Sequence, residues 1–285
     1  VPLLHAIILG IVQGLTEFLP VSSSAHLALI PWLLGWNDQG LSFDIALHVG
    51  TVLAVVVYFF RDWVQVIAEG FGLSIGNALG SDPAIRRNPR LLWLLVLGSV
   101  PAGIAGLLVK DLAENVWRNN QYLIGSMLIL VGLFMWWADH QGSRRKDLGN
   151  VSPTDSLTIG AAQALALVPG VSRSGITICA GLLRNLDRET AARFSFLLAT
   201  PAIAGAAAKD AWDLMRHGGG IASISPDMRT ALLVGVIVSA IVGALTIKFF
   251  LNFLRRRSLS FFVWYRVIFG IIVIALASFF RYHGG

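Results

Sequence analysis

Six stretches of this chain are apolar for long enough to cross a lipid bilayer as a helix, which takes about 20 residues. They cover roughly residues 43–60, 91–109, 121–138, 194–213, 230–250 and 261–280. Inside a bilayer the backbone amides must find partners within the protein, so only helices or a closed barrel can span it. The runs do not alternate as barrel strands do, and the pattern therefore predicts an all-α integral membrane protein. Charge agrees: 13% of the residues are charged, about half the usual share of a soluble domain. The net charge of +6 is then a matter of membrane topology, and no nucleic-acid partner is expected. The one cysteine, Cys179, excludes an internal disulfide. No cleavable signal peptide is expected, because Glu17 and a serine run follow the first apolar segment in place of a small-residue cleavage site.

Two further apolar regions are too short to span and are broken in the middle. Residues 3–18 and 25–35 are separated by Pro20 and Ser22-Ser23-Ser24; residues 156–167 and 175–184 are separated by Pro169-Gly170 and Ser172-Arg173-Ser174. Proline disfavours helix in the residue before it, and serine and glycine favour caps and turns. Each region is expected to be a re-entrant hairpin of two half-helices. The two also match each other without a gap: Gly10/Gly160, Gln13/Gln163, Leu15/Leu165, Val21/Val171, Ser22/Ser172 and Ser24/Ser174 coincide. One hairpin followed by three spans, repeated, places the second half upside down relative to the first. The expectation is a single membrane domain of two inverted-topology repeats, about 1–142 and 143–285, with the site near the midplane between broken helices.

Basic residues in loops orient such a chain. Thirteen, from Arg61 through Arg86, Arg87, Arg90, Arg144 to Lys146, Arg184, Arg188 and Arg193 to Arg255-Arg256-Arg257, fall on one side, against six on the other: Lys110, Arg118, Lys209, Arg216, Arg229 and Arg281. The first side should be cytoplasmic, with both termini and the mouth of the first hairpin outside. Lys248 and Arg266 are expected to snorkel to the cytoplasmic interface. Gly98, Gly103, Gly106, Gly125 and Gly132 are expected at close helix contacts, and Gly218-Gly219-Gly220 reads as a flexible outer loop.

The hairpins carry the polar chemistry. Gln13 and Glu17 share a helix face, and a carboxylate within a membrane segment is a functional candidate. The pair suits either oxygen ligation of a hard divalent cation or general-base work. Ser22-Ser23-Ser24 opens a half-helix, where hydroxyls cap and free N–H groups favour an anion; His26 lies about one turn further on. Arg173, flanked by Ser172 and Ser174 and followed by Thr177, is suited to a phosphate. An Arg173–Glu17 ion pair that holds the hairpins together is compatible with the same residues. A carboxylate, hydroxyls, an imidazole and a guanidinium together fit phosphoryl transfer. His48 and Asp44 read either as lining a route to the site or as structural.

The Gln13-x-x-x-Glu17 pair, the run Pro20-Val21-Ser22-Ser23-Ser24-Ala25-His26 and the run Pro169-Gly170-Val171-Ser172-Arg173-Ser174-Gly175-Ile176-Thr177 resemble the signature motifs of the bacterial undecaprenyl-pyrophosphate phosphatase family, the bacitracin-resistance type. Phe43-Asp44 and Leu47-His48-Val49-Gly50-Thr51 resemble that family too. The resemblance implies six transmembrane helices plus two re-entrant hairpins, and removal of the terminal phosphate from a polyprenyl diphosphate at the outer face of a bacterial inner membrane. It implies Gln13 and Glu17 as ligands of a divalent metal ion (Mg or Ca), Ser23 as attacking hydroxyl or phosphate contact, His26 as base or acid, and Arg173 as the diphosphate clamp. Ser22, Ser24, Ser172, Ser174 and Thr177 would bind phosphate. The first motif often has two glutamates, so Gln13 leaves one negative charge fewer for the metal. Membrane lipids are the other expected partners, and a homodimer is one option for assembly. A transporter or lipid flippase on the same inverted repeats is the alternative function.

Overall fold

The computed structural model describes residues 1–73, 82–141, 145–217 and 225–283. Arg144, the Gly218-Gly219-Gly220 segment and the junction at 142/143 lie outside the described residues. Most of the described chain is helical: α1 Leu3–Thr16, α2 Ser23–Leu34, α3 Leu41–Tyr58, α4 Phe60–Gly70, α5 Pro83–Arg87, α6 Leu91–Leu112, α7 Gln121–His140, α8 Pro153–Leu165, α9 Arg173–Leu183, α10 Arg188–His217, α11 Pro226–Leu254 and α12 Ser260–His283. Five of these (α6, α7, α10, α11 and α12) are long and apolar enough to cross a membrane, and α3 with α4 makes a sixth if counted as one bent span. The chain is an all-α, multi-pass membrane protein. Helix α4 was not foreseen. The chain turns by 77° between α3 and α4, where the apolar run gives way to Arg61 and Asp62. Gln65 then anchors α4 by exchanging hydrogen bonds of 3.0 and 2.9 Å with the backbone of Asp82.

The two short helix pairs pack on helices from the opposite half of the sequence: α1 lies along α11, and α8 along α6. Glycine decides both contacts. A Cβ on Gly10 would stand 2.9 Å from the Gly235 carbonyl oxygen, and one on Gly160 would stand 2.0 Å from that of Gly98. Gly10 and Gly160 are the matched glycines of the duplicated segment. Helices α3 and α10 pair with each other, as do α7 and α12. Gly98 and Gly125 sit at tight crossings as expected, but among the described residues Gly103 has nothing within 4 Å of a Cβ and Gly106 only Leu167 at 3.9 Å, so these two make no close helix contact there.

Capping explains where the second pair begins. Ser152 and Asp155 form a reciprocal capping box, with Pro153 at the first helical position. Acidic and basic side chains knit that end of the molecule. Asp155 takes Lys146 and Arg184, Arg193 takes Asp62 and Asp82, Arg188 takes Asp139, and Arg255 takes Glu189. All of these cations belong to the group expected on one side. The mouth of the α1–α2 pair lies elsewhere, where His5 stacks on Trp36 at 3.6 Å and Arg118 binds Asp38. The apolar core gathers around the two tips: Phe18, Val21, Val171 and Ile176 pack with Phe196 and Phe250, with Phe18 edge-on to Phe196 at 5.1 Å.

Arg266 departs from expectation. It does not snorkel; it is fully buried and hydrogen-bonded to main-chain carbonyls of both tips.

Candidate active site

Both tips use the same local device. The incoming half-helix ends just before Pro20 in one and Pro169-Gly170 in the other, and a serine with positive φ starts the outgoing half-helix: Ser22 at +77° and Ser172 at +73°. Such a backbone costs a non-glycine residue on the order of 1–3 kcal/mol and persists where its surroundings hold it. Here the serine hydroxyls do so as N-caps. Ser22 Oγ accepts from Ala25 N at 3.4 Å, and Ser172 Oγ accepts from Gly175 N at 3.1 Å. The strain aims the next residue, Ser23 or Arg173, at a common point.

That point is the Glu17 carboxylate, which is 4% exposed. Ser23 Oγ donates to its Oε2 at 2.6 Å, and Arg173 Nη2 donates to its Oε1 at 2.5 Å. Gln13 Nε2 donates to Oε2 at 3.0 Å and also reaches Thr51 Oγ1 at 3.4 Å. His48 Nε2 stands 3.3 Å from Oε2, while its Nδ1 faces the Asp44 carbonyl at 2.7 Å. One carboxylate thus joins both hairpins and helix α3. Two buried polar atoms in this cluster have no partner among the described residues: Gln13 Oε1 and Arg173 Nη1. Burying such atoms unpaired is unfavourable, and both suit a ligand: an oxygen for a cation, an N–H for a phosphate.

The other candidates stand as follows. Ser24 Oγ is 3.3 Å from Ser22 Oγ, and Ser174 Oγ is 3.3 Å from Ser172 Oγ and 3.2 Å from the Leu19 carbonyl. Thr177 Oγ1 is taken by the Arg173 carbonyl at 2.7 Å and by Ser195 Oγ at 2.5 Å. Ser22, Ser172 and Thr177 are therefore committed to shaping the tips. His26 bonds other groups than the carboxylate. Its Nδ1 faces the Ser22 carbonyl at 2.7 Å and its Nε2 faces the Tyr265 hydroxyl at 2.8 Å, with the ring stacked on Phe269 at 4.9 Å.

Three residues beside the site were underrated or missed from sequence. His48 touches Glu17 directly; its four-residue spacing from Asp44 was visible, but its partner on α1 was not. Tyr265 and Arg266 on α12 reach His26 and the tip carbonyls across 239 and 246 positions, with no motif to announce them. On the far side of His48, Arg118 bonds the buried Asp44 at 2.6 Å and grips Asp38 through Nε and Nη2, both at 2.8 Å. The guanidinium holds the Asp38 carboxyl below the usual carboxylate range.

Known proteins match this chain in sequence along nearly its whole length. The sequence profile of the bacitracin resistance protein BacA matches residues 6–272. Proteins described as undecaprenyl-diphosphatase are similar over nearly their full length. One from Moorella thermoacetica is 45% identical over 273 residues, covering 96% of this chain and 97% of that one. One from Pelotomaculum thermopropionicum is 46% identical, covering 96% of both, and one from Trichlorobacter lovleyi is 48% identical, covering 96% and 97%. With its two serine-capped tips converging on one buried carboxylate, this chain belongs to the BacA bacitracin-resistance family.

Proposed function

We propose that this protein is an undecaprenyl-diphosphate phosphatase of the bacterial inner membrane, which removes the terminal phosphate of a polyprenyl diphosphate and so recycles the carrier for cell-wall synthesis. The observation that carries the reading is the Glu17 carboxylate shared by Ser23 of one tip and Arg173 of the other. A nucleophile, its proton acceptor and a phosphate-binding fork within one hydrogen-bond network are the parts phosphoryl transfer needs. The relatives carry a phosphatase description, and nothing comparable supports the transporter alternative.

The chemistry follows from the distances. The diphosphate enters between the tips, where Arg173 Nη1 is already free to donate and the α2 and α9 helix starts direct N–H groups toward it. Ser23 Oγ attacks the terminal phosphorus as its proton passes to Glu17 Oε2. The Ser23 O–P bond forms, the bridging P–O bond breaks, and lipid monophosphate leaves as an anion. Water then attacks the phosphoserine and the Ser23 O–P bond breaks; protonated Glu17 returns its proton to Ser23 Oγ, and water's oxygen and both its protons leave with inorganic phosphate. Gln13 Oε1 and the Glu17 carboxylate, four residues apart on one face of α1, fit a divalent cation such as Mg or Ca. When bound, it would supply charge neutralisation on the phosphates. His26, whose ring nitrogens face the Ser22 carbonyl and the Tyr265 hydroxyl, is a second acid or base candidate. The inverted repeat is the frame for this site, supported by the exchange of α1 and α8 between the halves. The grouping of basic residues supports an outward-facing site with both termini outside.

The test is phosphate release from undecaprenyl diphosphate by purified protein, with mass spectrometry of rapidly quenched samples. Phosphate on Ser23 is expected. An unlabelled Ser23 with full turnover rejects the covalent route, and no turnover by the wild type rejects the function.

A further inference from the structure

Arg266 takes no part in the steps above, yet it is the bulkiest fully buried side chain among the described residues. Every hydrogen bond it makes ends on a main-chain carbonyl. Nε donates to Leu128 at 3.2 Å and Nη1 to Pro20 at 3.2 Å. Nη2 donates to Gly170 at 2.7 Å, Val171 at 3.1 Å and Met127 at 3.3 Å. Placing a cation out of water against carbonyl dipoles is costly, and an apolar side chain of similar length could fill the same space. The reason for a guanidinium lies in the identity of the carbonyls. Pro20 and Gly170 occupy the same position of the duplicated segment, each two residues before the strained serine of its tip. The fork therefore grips equivalent points of the two tips at once, and holds both against α7.

We propose that Arg266 is a positioning residue that fixes the two tips relative to each other, so that Ser23 and Arg173 meet at one phosphate. The inference rests on the reading of the tips as the phosphatase site. Two other polar bridges join the tips: Arg173 to Glu17, and Ser174 Oγ to the Leu19 carbonyl. A bound diphosphate competes for the first. The Arg266 bridge lies beneath the tips, bonded only to backbone, and survives that competition. Register between the hairpins is thus kept during turnover, when Arg173 is drawn to the substrate. A lysine keeps the charge but is a point donor on a flexible stem and cannot span both carbonyls as a planar fork does.

The decisive experiment compares wild type with Arg266→Lys in two measurements. In the phosphatase assay, the variant should keep KM within about threefold and lose kcat by about 100-fold, as expected of a reacting-group displacement near 1 Å. Electron spin resonance then measures the distance between labels at Leu15→Cys and Leu165→Cys in a Cys179→Ala background. These matched positions, 43% and 56% exposed, lie at the ends of the incoming half-helices. A narrow distribution with Arg266 and a broad or shifted one with the lysine variant supports the proposal. If Arg266→Lys does not fold, Arg266→Gln is read by the same criteria. Unchanged kcat, an unchanged distance distribution, or failure of both variants to fold overturns it. An inactive wild type would instead sink the functional reading, and the distance measurement would still decide whether Arg266 sets the register.

Discussion

The tips of the two hairpins share a backbone and differ in chemistry. Both hold a serine at positive φ, both cap the outgoing helix with that serine's hydroxyl, and both seat a glycine of the incoming helix on a helix from the other half. At the next position one presents Ser23 and the other Arg173, and both reach Glu17. One turn earlier the contrast is sharper. Gln13 is followed four residues later by Glu17 and works within the cluster, whereas Gln163 is followed by Leu167. Both polar atoms of the buried Gln163 amide are without a partner among the described residues. The two tips share their backbone geometry, while the carboxylate at their meeting point comes from α1 alone. A single carboxylate served by two tips gives an asymmetric site, which a diphosphate with one terminal and one bridging end requires.

The comparison can be broken in order of effect. Removing the two aimed residues should be most severe: Ser23→Ala should lower kcat by at least about 10⁴-fold and Arg173→Lys by about 10³-fold, measured as phosphate release. Equal, mild losses would mean that the tips merely bind. The two glutamines come next. Gln13→Leu should reduce kcat by about 100-fold, whereas Gln163→Leu should leave turnover unchanged and raise stability by about 1 kcal/mol, because it removes an unsatisfied buried amide. A thermal melt and an assay on each variant separate them. The caps should behave alike: Ser22→Ala and Ser172→Ala should each cost about 1 kcal/mol, and unequal costs would show that one tip is held by something other than its serine.

The smallest effect concerns the loop between α2 and α3. Arg118 lowers the Asp38 carboxyl below its usual range, so the stabilisation is present above the ordinary carboxylate range and is lost as pH falls through the lowered value. The pair is partly exposed, so the change in stability between pH 7 and pH 3 that Arg118→Ala abolishes should be under about 1 kcal/mol.

Much of this could be read in the chain before the coordinates. Length and apolarity mark the spans, and Pro20, Pro169 and the serine runs mark the tips, because both signals are local. Residues whose partners are distant were not legible. His48 was noticed without its bond to Glu17. Tyr265 carries no motif. Arg266 was assigned to the interface because main-chain carbonyls leave no trace in sequence, so a buried arginine with such partners looks like any arginine near a helix end. Helix α4 was not legible because it begins where the apolar run ends, and Arg61, Asp62 and Glu69 make that stretch read as a loop. Thr177 shows the same limit: the family resemblance implied a phosphate contact, and the hydroxyl's bonds to the Arg173 carbonyl and Ser195 could not be read from the sequence.

The packing of α1 on α11 has a consequence for how the protein is made. Gly10 leaves the ribosome some 225 residues before Gly235, the surface that its crossing requires, and Glu17 precedes Arg173 by 156. At a translation rate of about 5–20 residues per second, the carboxylate waits roughly 8–30 s for its guanidinium. Nascent chains stalled before α9 should therefore hold the first hairpin loosely, within reach of proteases and insertion chaperones. The contact between the two tips is therefore a late event of biogenesis.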